Sequence, residues 1–122
     1  MKNQMQVPHE VIPGHERVID FDHLGQYTLG DKALQDELLR LFQAQLASQC
    51  VALAACHDAK VWRQAVHTLK GAARAVGAWQ IADIADTLEA TDIAAAADRR
   101  AGLDRLTAAK ACFDEGLALL IE

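Results

Sequence analysis

The chain has 122 residues, a formal charge of −5 and 52% apolar residues, with only 5% aromatic. This length fits one domain, and the negative charge disfavours a nucleic-acid-binding protein. No apolar run reaches the ~18 residues of a membrane span and the first ten residues lack the apolar core of a signal peptide, so we expect a cytoplasmic protein without a membrane partner.

The N-terminal residues differ from the rest of the chain. Both prolines lie in the first 19 residues, so no proline interrupts a helix after that point. We predict a tail over residues 1–19 and a domain over residues 20–122. The domain begins with a short helix over Asp20–Tyr27, capped by Asp20 or Asp22.

Four longer helices follow, each with apolar residues at helical spacing. With their capping residues, the predicted helices are Asp31–Cys56, Asp58–Gly77, Trp79–Ala90 and Ala97–Leu120. Aspartate suits a helix start, and glycine suits a helix end. The residues predicted to face the core are Leu34, Leu38, Leu41, Phe42, Leu46, Leu53, Trp62, Val66, Leu69, Ala73, Val76, Ile81, Ile84, Ala85, Leu88, Leu103, Leu106, Ala109, Phe113, Leu117 and Leu120. Short links between amphipathic helices predict an all-α, antiparallel four-helix bundle with a short extra N-terminal helix.

Most of the reactive side chains have structural interpretations. The three cysteines form no CxxC pair and have apolar neighbours, which predicts reduced core thiols at Cys50, Cys56 and Cys112. Surface positions are predicted for four of the five histidines, His9, His15, His23 and His57.

The fifth histidine lies in the segment AVHTLKGAARAVGA of the third helix. On a helical wheel with His67 at 0°, the apolar residues fall between about 180° and 260°, which predicts an exposed histidine. Four cations and no acid occur from Ala59 to Ala82, a charge of +4 on a chain of −5. These cations fall within about 60° of His67. A positive face on an acidic protein suits a small anion or an acidic partner, and it favours the neutral imidazole.

A glycine occurs on the same face. Gly71 lies one turn after His67, although glycine costs about 1 kcal/mol relative to alanine inside a helix. The missing side chain leaves space beside the imidazole for a bulky group, and Lys70 can reach the same position. A nucleophilic nitrogen, a free space and an ammonium together favour a phosphoryl site.

The stretch His67-Thr68-Leu69-Lys70-Gly71, with Gly77 ten residues after the histidine, resembles the signature of histidine-containing phosphotransfer (HPt) domains. The segments LGDKALQDELLRLFQAQ and GAWQIADIADTLE are similar to the flanking parts of bacterial members, so the resemblance extends from about residue 20 to residue 122.

This resemblance implies a phosphorelay intermediate without kinase activity of its own, which passes a phosphoryl group between receiver-domain aspartates. It implies that His67 is phosphorylated, that Lys70 supports the phosphoryl group, that Gly71 admits the receiver and that Glu89 lies near the histidine. Many members have serine after the glycine, and this chain has Ala72 there.

Further expectations follow for the surroundings of the site. Arg74 or Arg63 would also offset the phosphoryl charge, and Lys60, Arg63, Gln64 and parts of the second helix would contact the partner. We expect no metal or other cofactor on this chain, because it has no acidic cluster, and we expect magnesium on the receiver domain.

The partners implied are the receiver domains of a hybrid sensor kinase and of a response regulator, with this chain as a free-standing monomer. A non-catalytic adaptor bundle that binds a partner protein is the alternative, and it predicts that His67 is dispensable. A metal- or cofactor-binding bundle would need further ligands on facing helices, and the sequence offers none with suitable spacing.

Overall fold

The computed structural model of the protein describes residues 18–120, and this part of the chain is all-α. It contains five helices, α1 (Phe21–Thr28), α2 (Lys32–Ala54), α3 (Ala59–Val76), α4 (Trp79–Ala90) and α5 (Ala96–Leu120). The all-α fold class is confirmed, and the bounds of the four long helices agree with the prediction to within two residues. Residues 1–17, with the predicted surface histidines His9 and His15, lie outside the described residues.

The helix ends follow from the capping residues. The Asp31 carboxylate accepts a hydrogen bond from the Leu34 amide at 3.0 Å, and the Asp58 carboxylate accepts from the first turn of α3. Gly77 ends α3 with a φ of 78°, in the left-handed region that favours glycine. All three residues thus have the capping roles that the sequence predicts.

The four long helices form an antiparallel ring. α2 and α4 each pack against both α3 and α5, and α1 lies against α2 and α3. Arg99, near the start of α5, donates to the Leu53 and Cys56 carbonyls at the end of α2. Trp62, near the start of α3, donates to the Leu88 carbonyl near the end of α4. These contacts show that neighbouring helices run in opposite directions.

The core residues predicted on α3 and α4 are all buried, whereas parts of the α2 and α5 predictions are wrong. Leu34 and Leu41 of α2 are exposed, Leu41 at 60%, and so is Leu120 at the end of α5. Leu39 is fully buried in their place. The reason is that α2 packs between α3 and α5, which turns the side centred on Leu39 and Leu46 inward.

The N-terminal residues of the described chain attach to the α3–α4 turn. Val18 and Ile19, at the end of the predicted tail, are buried. The Asp20 amide donates to the Gly77 carbonyl at 2.9 Å, and a Cβ on Gly77 would lie 2.8 Å from the Asp20 carbonyl oxygen. The turn after α3 therefore requires glycine for both its dihedral angle and its space.

Two predictions about reactive side chains need correction. His23 is not a free surface histidine, because its ring packs edge-to-face against Trp79, with centroids 4.9 Å apart, and against Tyr27. Cys112 is exposed and not a core thiol, since it lies on the outer side of α5. His57 is exposed, as predicted. Across residues 18–120, no helix combines the length and the apolar character that crossing a membrane would require.

Candidate functional site

His67 lies in the middle of α3 on its exposed face. Its side chain is 70% exposed, while Trp62, Val66 and Leu69 on the opposite side of the helix are buried. The amphipathic pattern of α3 decides this placement, because burying the apolar stripe leaves the histidine in solvent. The exposure predicted for His67 is confirmed.

The carboxylate that meets His67 comes from α4. Trp62 is almost fully buried and donates its indole N–H to the Leu88 carbonyl at 2.9 Å, which holds the end of α4 against α3. On the other side, α5 presses on Leu88, since a Cβ on Gly102 would lie 2.5 Å from Leu88 Cδ2. Glu89 follows directly in the chain, so its backbone is fixed on two sides.

Four side chains form a polar cluster, which we call the α3–α4 network: His67, Lys70, Asp86 and Glu89. His67 Nδ1 lies 3.0 Å from Glu89 Oε2, and Lys70 Nζ donates to Glu89 Oε1 at 2.5 Å and to Asp86 Oδ1 at 3.2 Å. The Lys70 side chain is only 14% exposed. The hydrogen bond from Lys70, followed by that from His67, lowers the pKa of Glu89, and the bonds to Glu89 and Asp86 raise the pKa of Lys70.

The network decides which imidazole nitrogen is available. An ionised carboxylate only accepts hydrogen bonds, so a neutral His67 bonded to Glu89 carries its proton on Nδ1. The lone pair then lies on Nε2, which makes no hydrogen bond with residues 18–120. A histidine oriented in this way presents a nucleophilic nitrogen to solvent, as in other sites where a carboxylate fixes the tautomer.

Gly71 leaves an open space beside His67. A Cβ added there would meet nothing within 4 Å outside the local helix backbone, and the residue lies inside a regular helix. Nothing among residues 18–120 therefore requires glycine at this position. The space is available to a group that approaches from outside, in agreement with the interpretation of Gly71 from the sequence.

The other site residues predicted from the sequence divide into two sets. Glu89 and Lys70 are brought to His67, but Lys70 is paired with carboxylates and does not point freely to solvent. The remaining polar residues, Lys60, Arg63, Gln64 and Arg74, are exposed along α3, and their side chains form no hydrogen bond or ion pair with the described residues. Arg63 and Glu89 also line a pocket of about 270 Å³ between the start of α3 and the α4–α5 link.

Sequence reasoning missed Asp86. The helical wheel of the third helix showed cations without acids, because the acids come from the neighbouring helix. The available signal was Asp86 and Glu89 one turn apart on the fourth helix, outside its apolar stripe. No group of three or more potential metal ligands occurs among the residues that the structure describes.

The ionised form of Glu89 is expected to stabilise the fold in a pH-dependent way. Because the folded pKa of Glu89 is lowered from 4.5, its contribution is present above pH 4.5 and is lost as the pH falls through the folded value. Glu89→Gln should therefore be less stable than the wild type at pH 7 in urea unfolding, and this difference should shrink towards pH 3. Glu37→Gln, at an exposed position of α2, is the matched control. An equal difference at both pH values would contradict an electrostatic role.

Comparison with known proteins gives a family match that covers most of the four long helices. A family model described as Hpt domain matches residues 32–117. The match begins at the first residue of α2 and ends within α5, so it includes the α3–α4 network and the exposed face of α3. Searches of curated proteins and of solved structures give no significant match.

Proposed function

The chain belongs to the Hpt domain family, and from this membership we propose that His67 carries a phosphoryl group between the aspartates of two receiver domains. Hpt domains are phosphorelay carriers in two-component signalling and are not kinases. The observation that carries the proposal is the exposed His67, whose Nδ1 is bonded to Glu89 while Nε2 makes no hydrogen bond with residues 18–120. A nucleophile held by a carboxylate on a rigid helix suits covalent group transfer.

The transfer step uses the lone pair of His67 Nε2. This nitrogen attacks the phosphorus of an aspartyl phosphate on the donor receiver, and an N–P bond forms as the P–O bond to the aspartate breaks. The electron pair of the broken bond stays on the aspartate carboxylate. The resulting phospho-imidazolium keeps its proton on Nδ1, and Glu89 stabilises the positive charge of the ring.

The return step reverses these changes. The carboxylate of the acceptor aspartate attacks the phosphorus, the P–O bond forms and the N–P bond breaks. The bonding pair returns to Nε2, which leaves the neutral imidazole with its proton still on Nδ1. We propose that magnesium belongs to the receiver side of this reaction, where it would offset the charge on the phosphoryl oxygens.

Docking would use the exposed face of α3 and the neighbouring part of α2. Lys60 and Arg63 give this face a positive character that suits an acidic partner surface, and Gln64 adds a neutral hydrogen-bonding group. The exposed Leu34 and Leu41 of α2 add apolar area. The donor in this proposal is the receiver of a hybrid sensor kinase, the acceptor is that of a response regulator, and the chain acts as a monomer.

The experiment is transfer from a panel of isolated receiver domains that have been phosphorylated with a radioactive small-molecule donor. The protein is expected to acquire a phosphate that is labile in acid and stable in alkali, as expected for phosphohistidine, and peptide mapping should place it on His67. A protein that binds receivers but never acquires label would instead be an adaptor. Label on serine or threonine, which survives acid, would also contradict the proposal.

A further inference from the structure

We infer that Arg63, and not Lys70, is the cation that holds the phosphoryl group of phosphorylated His67. This inference rests on the proposed function and specifies the group that binds the phosphoryl oxygens. It differs from the role that the sequence assigns to Lys70, because the structure gives Lys70 other partners. Three features support it: the pairing of Lys70, the position of Arg63, and the local sum of charges.

Lys70 is already occupied by two carboxylates. Its ammonium donates to Glu89 at 2.5 Å and to Asp86 at 3.2 Å, and its side chain is 14% exposed. Turning it towards a phosphoryl group would leave both carboxylates without this partner and would bring three negative groups together. Lys70 is therefore better described as a positioning residue that holds Glu89 in place for His67.

The sum of the charges around phosphorylated His67 favours a second cation at the site. Asp86 and Glu89 carry two negative charges, and Lys70 offsets one of them. A phosphoryl group on His67 Nε2 adds up to two more negative charges, and the phospho-imidazolium ring, whose Nδ1 lies 3.0 Å from Glu89 Oε2, offsets one of them. Like charges within one site repel one another unless a cation lies between or beside them. The site therefore favours an additional positive group on the same face.

Arg63 has the position and the freedom for this role. It precedes His67 by one turn, so their Cβ atoms are about 5–6 Å apart. Helical side chains lean towards the N-terminus of the helix, so the imidazole lies over the turn that carries Arg63, and the long Arg63 side chain would turn back to reach it. The Arg63 side chain has no hydrogen bond or ion pair with residues 18–120. A planar guanidinium also suits two phosphoryl oxygens at once.

The other free cations are less well placed. Arg74 follows His67 by seven residues, two turns and about 10 Å along the helix axis, so it lies farther from the imidazole than Arg63 does. Lys60 lies seven residues before it, about the same distance on the other side. Arg63 and Glu89 also line the same pocket of about 270 Å³, which places Arg63 on the side of α3 that faces the Glu89 end of α4.

The test compares Arg63→Gln and Lys70→Gln with the wild type and with Arg105→Gln. Arg105 is exposed on α5, which is diagonal to α3 in the ring, so this variant matches the loss of charge away from the site. Each protein is phosphorylated by a receiver, the receiver is removed, and the first-order loss of phosphohistidine is followed. Because the receiver is absent, a docking role of Arg63 cannot affect this rate.

Arg63→Gln is expected to lose its phosphoryl group about tenfold faster, and the transfer equilibrium should shift about tenfold towards the receiver, as for the loss of one charge-assisted hydrogen bond. Arg63→Lys should recover part of the phosphohistidine lifetime and part of the transfer equilibrium. Lys70→Gln should change both quantities less than Arg63→Gln does, and Arg105→Gln should match the wild type in both. A wild-type lifetime and equilibrium in Arg63→Gln, or a larger loss in Lys70→Gln, would overturn the inference alone. A wild-type protein that is never phosphorylated on His67 would overturn both proposals.

Discussion

Replacement of His67 by glutamine is expected to abolish phosphoryl acceptance completely. Glutamine is polar, and its amide can still donate a hydrogen bond to Glu89, but it has no nucleophilic nitrogen. The position is 70% exposed and packs into no core, so the fold and its stability should remain close to wild type. The measurement is label transfer from a phosphorylated receiver, with circular dichroism and urea unfolding as checks of the fold.

His57→Gln is the matched control for this experiment. His57 is also exposed, and it lies in the link between α2 and α3, away from the α3–α4 network. The His57→Gln variant should accept label at the wild-type rate. The binding of the receiver gives a second distinction, because the His67 variant should still bind while it fails to react. Label retained by the His67 variant would refute the assignment of the phosphorylated residue, and the adaptor alternative would then gain support.

The second large effect is expected at Gly71, where stability and function should change in opposite directions. Gly71→Gln should raise the free energy of unfolding by about 0.5–1 kcal/mol, because glutamine is a better helix former and the structure has space for it. The same side chain would fill the space beside the imidazole. Transfer requires in-line approach of the receiver phosphate, and a displacement of about 1 Å can cost about 100-fold in rate.

The two effects can be separated by urea unfolding and by single-turnover transfer at saturating receiver. Gly71→Ala, with a small side chain and the highest helix propensity, should give at least the same gain in stability and a smaller loss of rate. Ala111→Gln is the control for adding glutamine to an exposed helix position, since Ala111 lies on α5, diagonal to α3. A Gly71→Gln variant that is more stable and transfers at the wild-type rate would show that no partner group needs this space.

Much of the fold could be predicted from local patterns. Asp31, Asp58 and Gly77 mark helix ends through interactions within a few residues, and these ends are found where the sequence predicts them. The burial of the α2 side chains was harder to predict, because Leu34, Leu39 and Leu41 are all apolar. Only the packing of α3 and α5 against α2 selects which of them is buried. Hydrophobicity determines that α2 has an inner face, whereas its neighbours determine the direction of that face.

The same division applies to the site. The exposure of His67, the free space at Gly71 and the positive face all follow from the periodicity of one helix, so the sequence by itself determined them. The partners of His67 and Lys70 depend on the contact between α3 and α4, which Trp62 and Leu88 hold in register. Only the tertiary structure could show that Glu89 bonds the imidazole and that Lys70 is shared between Glu89 and Asp86, because these residues are 16 to 22 positions apart in the chain and meet only when two helices pack.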